Sequence, residues 1–538
     1  MRLTERLAFG GFLLSILFGM LVPIYTDEVG WRMQERAWVD GGVDRMINDI
    51  CGPGSIVAPP LFMMPLRALS GILNSTFPDP LYVRVVGVGC ALLWAFMLRG
   101  LISRIVRDNA QRATLTALAF GLLGLGVLPM LLVLSRPEQP ILLTSTMALL
   151  IATTKHRNQV MSRRTTVLRA TMILLLGAAA AAYHMKGVLF LPLFLVCIFF
   201  SSRGKNTLLA RIAAILLLIA LNAQAAHYWV ERFRCPGDSV LAADFAKLNM
   251  ASAMVGPGDW QSKAAKAIQG ANPNNYVALA LAQPYPMSSW LPANRVTLNE
   301  AMARYFPLML PWNAALLLSL FCLFRTLGDR WREKHIDLTV AVPIVMSTLV
   351  LVWGVTQLVK NVYEASLMLP ALMLFIVFSL IPAKWNETSA QWLKVVVSII
   401  VLVSLLGQAD MVLRFGPPLL RAAEHPGYVE GQPFSASAFG YTAVRDKVRQ
   451  TARQCHIGMH GRARHPLIDD VTYFAMSDGW QPFHRLGVLS EWNGSIHDPM
   501  AYLRAKKSDG AIVGCRYLTD AQRRLALQNG EFCCLPTG

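Results

Sequence analysis

Hydrophobic residues along this chain come in long runs, and most of the polar residues fall in the gaps between them. The first run, Leu7 to Tyr25, carries no charge and is long enough to cross roughly 30 Å of hydrocarbon as a helix. Ten further runs follow. The expected spans are about 7–25, 81–103, 113–134, 138–154, 166–183, 187–202, 207–228, 306–325, 337–359, 364–382 and 391–409. The fourth and sixth are short, which predicts tilted, kinked or partly re-entrant helices.

Two long polar stretches interrupt the series. The gap 26–80 holds Trp31-Arg-Met-Gln-Glu-Arg-Ala-Trp38, whose tryptophans and arginines favour an amphipathic helix lying in the interface. It also holds Ala58 to Leu73, apolar but broken by proline and too short to span. The gap 229–305 mixes Gly, Pro, Asn and aromatic residues and reads as a loop covering a cavity. From about residue 410 the pattern becomes that of a soluble domain. Ala438 to Gln454 has helical spacing, while Leu467 to Phe474 and Gly510 to Leu518 read as strands. Thr519 or Asp520 caps a helix predicted to run through Gln528 to a stop at Gly530. The fold class is therefore an all-α polytopic membrane bundle of about eleven transmembrane helices over residues 1–410. Interfacial helices lie in its first outside loop, and a small α/β domain follows over 411–538.

Composition agrees. Of 538 residues, 54% are hydrophobic and only 15% charged, more apolar side chain than a soluble globule can hide. The net charge of +18 raises the question of nucleic acid. Yet the basic residues gather in the gaps 99–112, 155–169, 203–211 and 325–334, all on one side if the spans alternate. That is the positive-inside bias of a membrane protein, and no nucleic-acid partner is expected. The amino terminus is then cytoplasmic and the carboxyl-terminal domain outside. Six of the nine cysteines, Cys51, Cys235, Cys455, Cys515, Cys533 and Cys534, fall in outside segments. An oxidising compartment allows them up to three disulfides, with Cys533 and Cys534 serving different partners.

Candidate chemistry sits at the outside ends of these runs. Asp27 and Glu28 adjoin the first span where it leaves the bilayer, and a carboxylate there can act as a base toward an acceptor hydroxyl. Three short turns carry further charge: Ser135-Arg-Pro-Glu-Gln-Pro140, Tyr183-His-Met-Lys-Gly187 and Lys360-Asn-Val-Tyr-Glu364. Turns of a few residues cannot carry their charges far from the membrane surface, and such groups tend to mark a shared polar cavity. Arg136 offers a planar fork suited to phosphate, and Lys186 a compact cation. Each also has a plainer reading. Arg136 and Lys186 snorkel to headgroups, His184 is an interfacial hydrogen-bonding histidine, Glu138 pairs with Arg136, and Lys360 pairs with Glu364 at i, i+4. His465, Asp469 and Asp470 cluster in the carboxyl-terminal domain and read as a solvated strand edge.

In this order, the acidic pair Asp27-Glu28, the segment Pro59-Pro-Leu61, the turn Arg136-Pro-Glu138, the turn His184-Met-Lys-Gly187 and the large loop after the seventh span resemble the bacterial polytopic glycosyltransferases of the GT-C class. The nearest likenesses are the protein O-mannosyltransferase, aminoarabinose transferase and Rgt-like branches, over residues 1–410. The resemblance implies transfer of a sugar from a polyprenyl-phosphate donor to an envelope glycan, glycolipid or protein acceptor at the periplasmic face of the inner membrane. It implies Asp27 as the general base, with Glu28 the alternative, and inversion at the anomeric carbon. Arg136, Lys186 and Lys360 are expected at the donor phosphate. Glu138, His184 and Tyr363 are expected to orient the acceptor or line the pocket. No cofactor is expected, and a divalent metal is not favoured: where metal-holding members carry Glu-Lys before Pro-Pro-Leu, this chain has Val57-Ala58. Transport of a lipid-linked sugar, or an O-antigen ligase or polymerase, are the alternatives.

Overall fold

A computed structural model describes residues 1–22, 28, 59–66, 68–69, 80–154, 163–201, 208–231, 260–282, 298–333, 337–356, 364–382 and 387–424. Beyond these it describes 428–429, 432–436, 450–451, 453–454, 467–468, 487–488, 498–505, 510–515, 518–530 and 532–536. The apolar runs are helices: α1 (Arg2–Phe18), α2 (Pro80–Ile105), α3 (Asn109–Leu123), α4 (Leu128–Leu131), α5 (Glu138–Thr153) and α6 (Arg163–Tyr183). Then come α7 (Met185–Leu189), α8 (Leu191–Phe200), α9 (Leu208–Glu231), α10 (Trp260–Ala271) and α11 (Asn274–Ala282). The set closes with α12 (Leu298–Arg332), α13 (Leu338–Thr356), α14 (Ala365–Leu380) and α15 (Glu387–Glu424).

Among the described residues, seven helices are long and apolar enough to cross a membrane, namely the spans Arg2–Leu21, Tyr82–Ile105, Arg164–Tyr183, Leu208–Glu231, Tyr305–Arg332, Leu338–Val355 and Glu387–Leu413. Their outer faces keep large apolar side chains exposed, among them Leu217, Phe321, Phe324, Leu402 and Leu406. Stripes of that kind are stable against lipid and costly against water. The helix α14 is different. All sixteen of its residues are buried, so it is the central helix, apolar on every side because every side meets protein. It packs against α13 and α12, while α3 lies between α1 and α15.

Several expectations change. The span expected at 113–134 is broken after α3, where Gly126 takes a positive φ of 76° and Val127 N–H donates to Ala280 O at 3.0 Å. A side chain at Gly126 would collide with that same carbonyl, so glycine is required at this turn. The helices α8 and α14, where spans 187–202 and 364–382 were expected, are short apolar helices of 10 and 16 residues. The last expected span, 391–409, is part of a 38-residue helix, so the expected domain boundary at 410 falls inside α15. Within the expected outside loop 229–305 lie α10 and α11, which pack on α13 and α12. The amphipathic segment Trp31 to Trp38 lies outside the described residues.

The carboxyl-terminal part carries β1 (Tyr428–Val429) paired with β2 (Gln432–Ala436), and a sheet of β3 (Leu467–Ile468), β4 (Gly487–Val488), β5 (Gly510–Gly514), β6 (Leu527–Asn529) and β7 (Phe532–Pro536). Two short helices, α16 (Pro499–Ala505) and α17 (Asp520–Leu525), accompany it. The strand order is β4-β3-β5-β7-β6, with β3 parallel to β4 and β5, and β7 antiparallel to both its neighbours. Thr519 caps α17 in a reciprocal capping box with Gln522. The helix predicted to reach Gln528 ends at Leu525 instead, because Leu527–Asn529 pair with β7. Sheet pairing overrides helical propensity there. A disulfide joins Cys515, just past β5, to Cys533 in β7, and Cys534 is disulfide-bonded as well. Most of the expected helix Ala438 to Gln454 and strand Leu467 to Phe474 lies outside the described residues.

Candidate functional site

Glu28 and Arg84 form a wholly buried, two-pronged ion pair, with Arg84 donating to the two carboxylate oxygens at 3.0 and 2.8 Å. Arg84 sits one turn into α2, at the end of an apolar run where an isolated charge needs a partner. It also donates to Val133 O at 3.1 Å. Glu28 in turn accepts from Ser135 N–H at 2.7 Å. The acidic residue after the first span is thereby tied to the turn that carries Arg136. Two glycine positions make the close approach possible. A side chain at Gly87 of α2 would collide with Val133 O, and one at Gly187 of α7 with Ala180 O at the end of α6.

The turn continues into a second buried set. Arg136 Nε lies 3.3 Å from Glu138 Oε2, and Glu138 Oε1 accepts a hydrogen bond from Lys186 Nζ. Lys186 also donates to Glu364 Oε1 at 3.0 Å and lies 5.5 Å from the centre of the Trp353 ring. Glu138, Lys186 and Glu364 are each more than nine-tenths buried. Three distant hairpin ends thus meet in one alternating row, Arg136–Glu138–Lys186–Glu364. It holds two cations and two carboxylates and carries no net formal charge. At about 3 Å and an effective dielectric near 20, each contact gives roughly 5 kcal/mol of attraction. Against that stands a desolvation cost of several kcal/mol per ion, so the row holds together only while it is complete. Glu364 stands at the amino-terminal end of α14, where a carboxylate is also favoured by the helix dipole. Its Oε2 makes no hydrogen bond among the described residues.

His184 begins α7. Its Nδ1 accepts from Lys186 N–H at 3.1 Å, fixing the turn that presents the lysine, and its ring lies 5.7 Å from that of Trp229. Trp229 Nε1 donates to Ala181 O at 2.8 Å. The segment after Pro59-Pro60 folds as a short 3-10 turn, Leu61–Met63, and Met63 packs among Ala181, Ala182, Tyr228 and Trp229. The Pro-Pro-Leu segment therefore reaches the same end of the bundle as the His184 turn.

The structure brings together five of the residues singled out from sequence, Glu28, Arg136, Glu138, His184 and Lys186. Asp27, Lys360, Tyr363, His465, Asp469 and Asp470 lie outside the described residues. Three participants escaped the sequence reading: Arg84, Glu364 as a partner of Lys186, and Trp353. A lone arginine inside an apolar run was the available signal for Arg84. Glu364 was visible only as a partner for Lys360. Among the described residues, no three of His, Cys, Asp and Glu gather as metal ligands. Comparison with family models, curated proteins and solved structures finds no match to this chain.

Proposed function

We propose that this chain transfers a sugar from a polyprenyl-phosphate donor to an envelope glycan, glycolipid or protein at the outer face of the bacterial inner membrane. The observation that carries the reading is the buried row of charges at one end of the bundle, joined through Ser135 to Glu28. Its members come from hairpin ends that are otherwise apolar. A cluster of paired buried ions at this end of the bundle fits a reaction centre at the lipid boundary better than a pathway through the bilayer midplane.

In this reading Asp27 takes the proton from the acceptor hydroxyl as the oxygen attacks the anomeric carbon. The bond from that carbon to the phosphate oxygen breaks, and the lipid phosphate leaves with the electron pair. Arg136 and Lys186 meet the charge that develops there. Glu28 does not share the base role: both of its oxygens are engaged by Arg84, and it holds the turn in place. Because the row is neutral, a phosphate enters by displacing a carboxylate. Glu364 is the member that gives way, since it takes one hydrogen bond from Lys186 and leaves Oε2 unbonded among the described residues. The spans left short in the fold, α3 with α4, α5, α8 and α14, complete an eleven-span bundle with the amino terminus inside.

The reading is tested with the purified, reconstituted protein and polyprenyl-phosphate-linked sugars extracted from membranes. Asp27→Asn abolishes transfer while expression and insertion stay normal; unchanged transfer removes Asp27 from the mechanism. Protein that moves intact lipid-linked sugar between leaflets and forms no product is a transporter instead.

A further inference from the structure

The opposite end of the bundle holds a second polar feature that the proposed chemistry does not use. A cavity of about 500 Å³ lies where the start of α1, the end of α2 and the start of α3 converge. Arg2, Glu5 and Arg6 line it from one face of α1, Phe96 and Arg99 from α2, and Arg112 from α3. Counted along α2, Arg99 is fifteen residues from Arg84. At 1.5 Å per residue this puts the cavity roughly 22 Å from the buried Glu28–Arg84 pair.

Four arginines against one glutamate leave a formal charge of +3 around this space. Glu5 is already committed, because Arg99 donates to it at 3.0 Å. Arg2, Arg6 and Arg112 have no carboxylate partner among the described residues. The positive-inside bias explains basic residues at this end, but not their idleness. Other arginines there are used internally: Arg104 bonds Leu150 O and Thr154, Arg169 bonds Thr154 O, and Arg330 pairs with Glu333 and Asp337. Placing Arg2 and Arg6 in the first turns of α1 also sets them against the positive end of the helix dipole, an arrangement an anion would relieve.

Phe96 lines the cavity, Leu93 stands one turn before it on α2, and Leu3 and Leu7 follow the lining residues Arg2 and Arg6 on α1. Leu3, Leu7, Leu93 and Phe96 are all exposed, at 69, 48, 51 and 51%. We infer that this cavity binds the phosphate headgroup of an anionic phospholipid, whose acyl chains lie along that apolar wall. Basic pockets between spanning helices take acidic headgroups in this way, whereas a soluble phosphate makes no use of the leucines. The inference does not depend on sugar transfer.

Native mass spectrometry of the full-length protein in detergent, titrated with phosphatidylglycerol or phosphatidylcholine, tests it. The wild type retains one phosphatidylglycerol in preference to phosphatidylcholine. Arg6→Gln with Arg112→Gln weakens that retention about 10- to 30-fold, the scale of two basic contacts to an acidic headgroup. Arg6→Lys with Arg112→Lys keeps most of it, which separates lost charge from lost fold. Arg325→Gln with Arg332→Gln removes the same charge from exposed positions outside the cavity and leaves binding unchanged. Equal weakening by both Gln pairs would overturn the site. Displacement of the lipid by millimolar inorganic phosphate would overturn its assignment to a lipid.

Discussion

Breaking the Glu28–Arg84 pair from either side should cost far more than removing both of its members. The two contacts, 3.0 and 2.8 Å, lie between side chains with no exposed surface. At the shorter distance and an effective dielectric near 20, the attraction is about 6 kcal/mol, close to what burying the two ions costs. The intact pair is therefore worth little net, while an orphaned member is expensive. Glu28→Ala takes both carboxylate contacts from the buried Arg84 guanidinium and should lower unfolding free energy by about 3–5 kcal/mol; Arg84→Met takes both guanidinium contacts from the carboxylate for a similar loss. The double variant Glu28→Gln with Arg84→Met removes both charges of the pair and keeps an acceptor for Ser135 N–H, so it should lose only about 1 kcal/mol. Unfolding of the purified protein by graded denaturing detergent reads all these values, with Glu28→Gln included to complete the cycle. A coupling energy of at least about 2 kcal/mol is expected. Additive single losses would refute the pairing. Transfer activity adds a second readout: as a positioning residue, Glu28 is replaceable when Arg84 is replaced with it.

Other parts of the structure yield further expectations. Gly187→Ala drives a methyl group into the Ala180 carbonyl and should destabilise by about 1–3 kcal/mol, read in the same detergent titration; a neutral outcome would mean that α6 and α7 do not meet as described. Cys515→Ser opens an 18-residue loop and should cost the carboxyl-terminal sheet about 3 kcal/mol, seen as faster proteolysis there than in the wild type. Glu364→Gln removes one of the two carboxylates on Lys186 and should tighten binding of polyprenyl phosphate by about tenfold, whereas Lys186→Met should weaken it by at least as much. If the two substitutions shift affinity in the same direction, Glu364 does not compete with the donor.

Much of the bundle is legible in the sequence because helices with exposed apolar faces and core helices are both written as apolar runs. Periodicity cannot say where such a run bends. The break after α3 depends on Gly126 meeting Ala280, a residue more than 150 positions later, and no local pattern carries that contact. The apolar run 391–409 marks only part of α15, because helical hydrogen bonding continues past the point where hydropathy falls. At the site, Arg136, Glu138, His184 and Lys186 stood out because short turns between apolar runs confine their charges. Their partners did not, since pairing is set by which hairpin ends pack together. Lys186 reaches Glu364 across 178 positions, while the sequence offered Lys360 as a nearer candidate for that glutamate. The helix predicted past Leu525 failed for a similar reason, a strand partner that only the folded sheet supplies.

The most direct test of the central claim compares envelope glycans by mass spectrometry in cells carrying the wild-type gene, no gene, or the Asp27→Asn allele at equal protein level. The account predicts that one sugar substituent disappears without the gene and stays missing in the Asp27→Asn cells, while its lipid-linked donor accumulates. Glycans identical in all three would contradict it.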